Sequence, residues 1–525
     1  MRIEERVQGR VGALRRPPKA FGAARHPHQA SKLVIVICIL AITARLILIN
    51  QPYVDHWSWR QSDVAAIARN FLQNRFHFAY PQIDWAGNAP GYVGTEFPIL
   101  PFIAALCYKI AGVHEWIGRI QAVVLFAVSL PFFFLLVREV YGSTAAVWAT
   151  FFYGFAPANI FAGRSFMPDV PSLSLAIIGL YLFLRWMEDR KPGLFSVAAI
   201  AISMSLLIKI TSIVIVAPLA YLAVAGIGDP GPPKTRLVAS RDHRCRLQLL
   251  FFSAIVLLPS AIWYYHACQI AQNFYPHHFF GAGGIRIESF SWYWPIAQQT
   301  LVSSLTPVLS LTAIIGVLVP QSRDRRYSRL FYWWLAAMVL FVIVVGYGNR
   351  HRWYQLPLVP ISAAFAGAAC AFIRSKGSSR VVAVTLSILL VSSFMISAFW
   401  YVRPFYLSSA QLLHAGMELK NVTAPDALIV AADMGDPTIF YYAERKGWHF
   451  LENDAIYNGN PDDSQQAIKD LERLRRRGAT HFVFTRNTFW WLHSYPEFGR
   501  HLAQTANLIE ATPEFKIYEL APTIR

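Results

Sequence analysis

Apolar runs of near-spanning length recur near residues 33–50, 116–137, 144–162, 169–187, 194–208, 210–226, 247–266, 298–320, 330–346, 354–373 and 381–402. A helix needs about 20 apolar residues to cross the hydrocarbon core of a bilayer. The pattern therefore predicts a polytopic α-helical membrane protein of about 11 spans, with 194–226 either two short helices or one long broken one. The first run has no small-residue cleavage site after it, so it reads as a retained span.

The polar interval 51–115 has a pattern of its own. In DVAAIARNFL the residues Val64, Ile67, Ala68, Phe71 and Leu72 share one helical face, opposite Asp63, Arg69, Asn70 and Gln73. That spacing predicts an amphipathic helix, begun at Asp63, lying in the membrane interface. The stretch 97–112 is short and opens on prolines, which suggests a second interfacial or re-entrant helix. Beyond residue 402 the pattern changes. ALIVAA (427–432) and THFVFT (480–485) read as strands, and 462–478 reads as a helix closed by a glycine. This predicts a small soluble α/β domain over 403–525. It has neither a phosphate-binding glycine loop nor a nucleophile elbow, so it reads as supportive or recognitive. The expected division is a basic arm over 1–32, a membrane core over 33–402 with an active-site loop at 51–115, and the tail.

Charge adds orientation. Charged residues are 15% of the chain, against about 25% in ordinary globular domains, and the net charge is +18. The basic residues gather in short loops at 234–246, 322–329 and 374–380. They alternate correctly if the N-terminus is cytosolic, and the arm then lies beside anionic lipid. Membrane topology explains the charge without nucleic acid. An odd number of spans puts the tail on the periplasmic or extracellular side of the cell membrane. The polar clusters at 51–115, 163–168, 209, 267–297 and 347–353 fall on that same side. The five cysteines show no CxxC spacing. They indicate neither zinc nor a disulfide framework, although Cys107 and Cys268 would share the external side.

Several of these clusters resemble one family. HWSWRQSDVAAIARNF (56–71), EFPILPFIAALCYKIAGVHEWIGRI (96–120), RSFMPD (164–169), LLIKITS (206–212), HRWYQLPLVP (351–360) and DPTIFYYAERKGW (436–448) are similar, in order, to the bacterial branch of the protein O-mannosyltransferase and aminoarabinose transferase superfamily. The resemblance implies a GT-C-like fold and inverting transfer from a polyprenyl-phosphate sugar on the external face. It also implies an acid in the first loop that serves the acceptor. Two departures stand out. The adjacent Asp-Glu pair frequent in that loop is RQSD here, and Phe97 stands where the aminoarabinose transferases carry a lysine after the glutamate.

Such transfer needs a carboxylate base for the acceptor hydroxyl, alignment of the anomeric carbon and cations for the departing phosphate. Asp63 and Asp55 are the two candidate bases. Each also has a plain alternative, a helix N-terminus for Asp63 and a solvated loop for Asp55. Arg60 suits phosphate binding, orientation of an acid, or headgroup anchoring. Gln61 and Glu96 complete the acceptor side, where Glu96 is also suited to pair with Arg60. Asp169 reads as a helix cap or, by the resemblance, as an acid that shapes the site. Trp57 and Trp59 suit sugar stacking, but the aromatic belt of the membrane is the commoner role. Lys209 interrupts an apolar stretch, a costly placement unless it snorkels or meets an anion. Arg350, His351, Arg352 and Tyr354 concentrate basic charge on the side where it is not expected. An anionic lipid phosphate would explain both. His277 and His278 are adjacent and lack metal-ligand spacing. No cofactor is indicated, and a divalent cation stays open because family members differ in metal use.

The expected partners are a polyprenyl-phosphate-linked sugar, membrane lipids, and a protein, glycan or lipid acceptor. The rival readings are a transporter or flippase of lipid-linked sugars and a non-catalytic envelope assembly protein. The first predicts charges in mid-membrane and two similar halves. The second predicts tolerance of substitution at Asp63 and Lys209.

Overall fold

The computed structural model describes residues 27–227, 237–279, 284–320, 327–377, 379–407, 410–453 and 456–522. Most of the basic arm and parts of the 234–246 and 322–329 loops lie outside the described residues.

The first half holds α1 (Pro27–Leu46), α2 (Ser58–Gln73), α3 (Ile99–Ala111), α4 (Glu115–Tyr141), α5 (Ser143–Phe155), α6 (Pro157–Ala162), α7 (Asp169–Asp189) and α8 (Pro192–Ile208). Then come α9 (Val216–Ile227), α10 (Leu237–Asn273), α11 (Phe290–Gln298), α12 (Pro307–Leu318), α13 (Leu330–Val345), α14 (Leu358–Ser375), α15 (Arg380–Val402) and α16 (Ala410–Val422). Among the described residues, five helical stretches are long and apolar enough to cross a membrane, or six when a bent pair counts as one span. Four further apolar helices are shorter. The sheath is apolar outward as well as inward. Val381, Leu389, Ile396 and Phe399 on α15 and Leu250, Phe251 and Ile262 on α10 are exposed, as surfaces facing lipid are.

Three of the expected spans are interrupted. The run 144–162 breaks between α5 and α6, where Ala156 is extended before Pro157, as the residue before a proline prefers. The run 298–320 bends by 105° between residue 304 and Pro307. The run 194–226 breaks at Lys209, whose backbone is extended and is followed by a 3₁₀ turn over Ile210–Ile215. The break at Lys209 is one of the two alternatives left open for 194–226; apolar composition alone does not reveal the other two bends.

The tail carries β1 (Leu428–Ala432), α17 (Thr438–Ala443), β2 (Lys446–His449), β3 (Glu452–Asn453), β4 (Ile456–Tyr457), α18 (Ser464–Arg476), β5 (His481–Thr485), β6 (Ala506–Ala511) and β7 (Phe515–Leu520). Five strands form one sheet in the order β2-β1-β5-β7-β6. The pairs β1–β2 and β1–β5 are parallel, while β7 is antiparallel to both β5 and β6. β2 is an edge strand, and the first loop closes that edge: Gly87 N donates to Gly447 O (2.7 Å) and Gly447 N to Asp84 O (3.0 Å).

This docking corrects the expectation for α2. The helix starts at Ser58, five residues before Asp63, and buries Arg60, Asp63, Arg69 and Asn70 along with Val64, Ile67, Ala68 and Phe71, while Leu72 is half-buried and Gln73 exposed. Ile67 and Phe71 share a core with Leu412, Ala415 and Ile429 of the tail. Val64 and Ala68 pack with Leu100 and Ala104 of α3. Thus α2 lies between two protein layers, not flat on a membrane surface. Its polar face is covered by the tail, with Ser58 Oγ on Asp436 Oδ2 (2.7 Å) and Ser62 Oγ on Thr438 Oγ1 (2.8 Å). All five cysteines are free, Cys107 and Cys268 included.

Candidate functional site

The two loop acids have different surroundings. Asp55 ends in a closed ionic cluster. Its Oδ2 lies 3.1 Å from Arg119 Nη2 and 3.0 Å from Arg164 Nη2, with all three side chains fully buried. Gln61 Nε2 donates to its Oδ1 at 2.6 Å, and Gln61 Oε1 accepts from Phe166 N at 3.2 Å. Arg119 also donates to the carbonyls of Ile49, Gln51 and Pro52. Both oxygens of Asp55 are thus committed to holding the chain between α1 and α2. Burial raises its pKa against the pull of the two arginines.

Asp63 lies in the second turn of α2, so it does not serve the helix N-terminus. It is 3% exposed. Trp85 Nε1 donates to Oδ1 at 2.9 Å, and no hydrogen bond reaches Oδ2 from a described residue. Burial pushes its pKa up to about 6, opposed by the Trp85 hydrogen bond and the charges of Arg60 and His449. A buried carboxylate with a free oxygen and a pKa near neutrality has the properties of a general base.

Between these acids runs a second ionic chain. Arg60 Nη2 reaches both oxygens of Glu96, at 2.7 and 2.8 Å. Thr95 Oγ1 donates to Glu96 Oε2 at 2.9 Å. Lys209 Nζ lies 3.3 Å from Glu96 Oε1 and 3.4 Å from Asp169 Oδ1, and 4.7 Å from the centre of the Tyr354 ring. Burial would raise Glu96, but Arg60 and Lys209 outweigh it and hold the acid at about 2. Asp169 makes no side-chain cap on α7; it turns to Lys209, and its Oδ2 is buried without a hydrogen-bond partner among the described residues. Two reciprocal serine contacts brace this junction: Ser172 Oγ donates to Ser205 O (2.7 Å) and Ser205 Oγ to Ser172 O (2.8 Å). Lys209 is therefore neutralised by two carboxylates, and it is not the free cation that its sequence context suggested.

Free cationic charge lies next door. A groove of about 750 Å³ is lined by His56, Trp59, Trp292, Arg350, His351 and Arg352, among others. Among the described residues, no carboxylate forms an ion pair with Arg350 or Arg352. His351 stacks on Trp353, ring centres 4.5 Å apart. Burial and the charges of Arg350, Lys209 and Arg60 push it down to about 4, so it is neutral near pH 7. Trp57 is a core residue, edge-on to Phe161, Trp353 and Phe405. Trp59 lines the groove with Trp57, Trp292 and Trp353. It stands four residues before Asp63, about 6 Å along the axis of α2.

Residues that the sequence pattern did not single out complete the site. Arg119 is an arginine inside an apolar run, and that alone marks a functional or structural partner. Trp85 lies in an irregular stretch and has no pattern to reveal it. Its ring meets His278 (5.4 Å) and His449 (5.3 Å). Among the described residues, no group of three or more His, Cys, Asp and Glu side chains is arranged to hold a metal ion.

Comparisons with known proteins bear on the fold. Residues 95–263 match the sequence profile of the family described as dolichyl-phosphate-mannose-protein mannosyltransferase. The chain is 23% identical over 391 residues to mannosyltransferase APTG1 of Arabidopsis thaliana, covering 70% of this chain and 63% of that one. ArnT from Cupriavidus metallidurans, solved with undecaprenyl phosphate, superposes with a TM-score of 0.62 at 14% identity, over 93% of this chain and 98% of that one. The chain has the GT-C fold. A second GT-C protein, the oligosaccharyltransferase AglB of Archaeoglobus fulgidus with an inhibitory peptide and a dolichol-phosphate, gives 0.60 at 14% identity, over 94% and 74%. The profile match and both GT-C structures agree with the resemblance carried by the sequence motifs. The chain spans about 63% of the length of the Arabidopsis relative.

Proposed function

We propose that this chain is an inverting glycosyltransferase that moves a sugar from a polyprenyl-phosphate donor to an acceptor hydroxyl at the external membrane surface. The observation that carries the reading is the adjacency, along one helix, of an aromatic cationic groove and a buried carboxylate with an uncommitted oxygen. The family match and the lipid phosphates bound by ArnT and AglB support the donor class.

In the proposed reaction Asp63 Oδ2 takes the proton of the acceptor hydroxyl as its oxygen attacks the anomeric carbon. The bond from that carbon to the phosphate oxygen breaks on the opposite face. Its electron pair leaves on the lipid phosphate, whose charge Arg350 and Arg352 stabilise. Arg60, Glu96, Lys209 and Asp169 form a near-neutral frame between the two ends, suited to hydrogen-bonding an uncharged sugar. Asp55 and Gln61 support the loop that carries the base. Exposed aliphatic surface on α10 and α15 and the exposed aromatic residues of α11 suit the lipid tail.

The test is mass spectrometry of envelope glycans and glycoproteins in three strains: wild type, a deletion and Asp63→Asn. The expected result is loss of one and the same sugar in the deletion and in Asp63→Asn, with the variant protein still in the membrane. A sugar lost on deletion but kept in Asp63→Asn removes Asp63 from the mechanism. No loss in the deletion removes the transferase reading.

A further inference from the structure

The tail lacks any nucleotide or nucleophile motif, yet the ends of its first two strands meet the site. β2 ends at His449, which is 3% exposed. Its Nδ1 lies 2.9 Å from each oxygen of Asp433, just past the end of β1. Gly435 N fixes the same carboxylate at 3.0 Å. The imidazole is pressed between Phe440 (5.3 Å) and Trp85 (5.3 Å), and Trp85 is the residue that donates to Asp63.

The charged groups facing Asp63 are Arg60 from α2, and His449 and Asp436 from the tail. Those facing His449 are Asp433, Asp63 and Asp436. Asp436 is occupied by Ser58 Oγ and by Thr438 N. His449 is thus set against three carboxylates.

We propose that Asp433 and His449 are a positioning pair for the base: Asp433 anchors His449, which packs the Trp85 indole onto Asp63 Oδ1 and sets an imidazolium beside that carboxylate. Oδ2 is thereby left for the acceptor, and the tail becomes part of the catalytic apparatus. The proposal rests on reading Asp63 as the base. Burial alone would lower the His449 pKa, but Asp433, then Asp63 and Asp436, outweigh it and raise it.

Two measurements separate the proposal from the reading beneath it. The first is carbon-detected NMR of the purified full chain in detergent with labelled histidines, where the His449 signal is the one missing from His449→Gln. Its midpoint is expected above the ordinary value of about 6.5, and to fall by about one unit in Asp63→Asn and in Asp433→Asn. An unchanged midpoint in Asp63→Asn overturns the proposal. The second is the sugar lost on deletion, measured in cells held at pH 6 and pH 8. His449→Gln is expected to lose at least fivefold more of it at pH 6 than at pH 8. Equal loss at both pH values means packing alone and overturns the proposal. Sugar retained by Asp63→Asn instead overturns the assignment of the base, whatever the midpoint of His449 does.

Discussion

Asp55 and Arg119 meet at 3.1 Å with neither side chain exposed, and Arg164 shares the same carboxylate oxygen. Removing one member of a buried ion pair leaves uncompensated charge and costs about 3–5 kcal/mol. Asp55→Ala is therefore expected to destabilise the protein by about that amount, seen as a lower unfolding temperature in detergent. Because Asp55 supports the loop, Asp55→Ala activity should fall in parallel with folded protein, with no shift in its pH dependence.

Asp63 carries the opposite signature. Its pKa is raised, so the carboxylate form needed for a base is present above about pH 6 and lost as pH falls through that value. Transfer should drop on the acid side with a midpoint near 6. The same shift fixes the sign for stability. A carboxyl whose folded pKa lies above its unfolded value favours the fold at low pH, and that contribution is lost as pH rises through about 6. Asp63→Asn should thus be inactive yet more stable than wild type at pH 8, by up to about 3 kcal/mol. An inactive variant with a lower unfolding temperature would contradict this.

The pair Arg60–Glu96 belongs to a chain of charges in which each member has partners. Glu96 at about 2 stays ionised throughout the working range. Glu96→Gln would strip Arg60 and Lys209 of their shared acid. The expected loss is about 3 kcal/mol or more of stability, measured by thermal unfolding. The double variant Glu96→Gln, Lys209→Met should recover part of it, a coupling that a double-mutant cycle reads directly.

Arg350 and Arg352 carry the cationic charge of the groove. A hydrogen bond to a charged group contributes about 1.5–3 kcal/mol. Each arginine changed to alanine is expected to weaken binding of undecaprenyl phosphate about tenfold or more. The residual affinity should respond less steeply to salt. Binding of the dephosphorylated lipid alcohol should not change, which separates a phosphate contact from a general loss of the groove.

Several of these features are legible in the sequence. The apolar runs fall on helices, of which five, or six with the bent pair, are long and apolar enough to cross a membrane among the described residues, against the 11 expected. The strands at 428–432 and 481–485 fall where their short apolar runs put them. Periodicity also located α2, but it reports only that one face is polar. It cannot say that Asp436, Thr438 and His449 cover that face from more than 370 residues away. The choice between Asp55 and Asp63 was undecidable in sequence for the same reason: it depends on arginines 64 and 109 residues distant from Asp55. Lys209 is visible in sequence as an anomaly. That Glu96 and Asp169 are the carboxylates beside it depends on the break after α8.

The edge of the tail sheet has a further consequence. Loop residues Asp84 and Gly87 supply the partner that β2 lacks, and a Cβ at Gly87 would fall 1.9 Å from the Trp448 ring. An unpaired strand edge invites aggregation. Tail and loop are thus a matched key and lock, and exchange between relatives works only if both halves travel together. A chimera that swaps the tail alone inherits an open edge and a foreign socket for Trp448, so variation in this fold is constrained to move as a linked block.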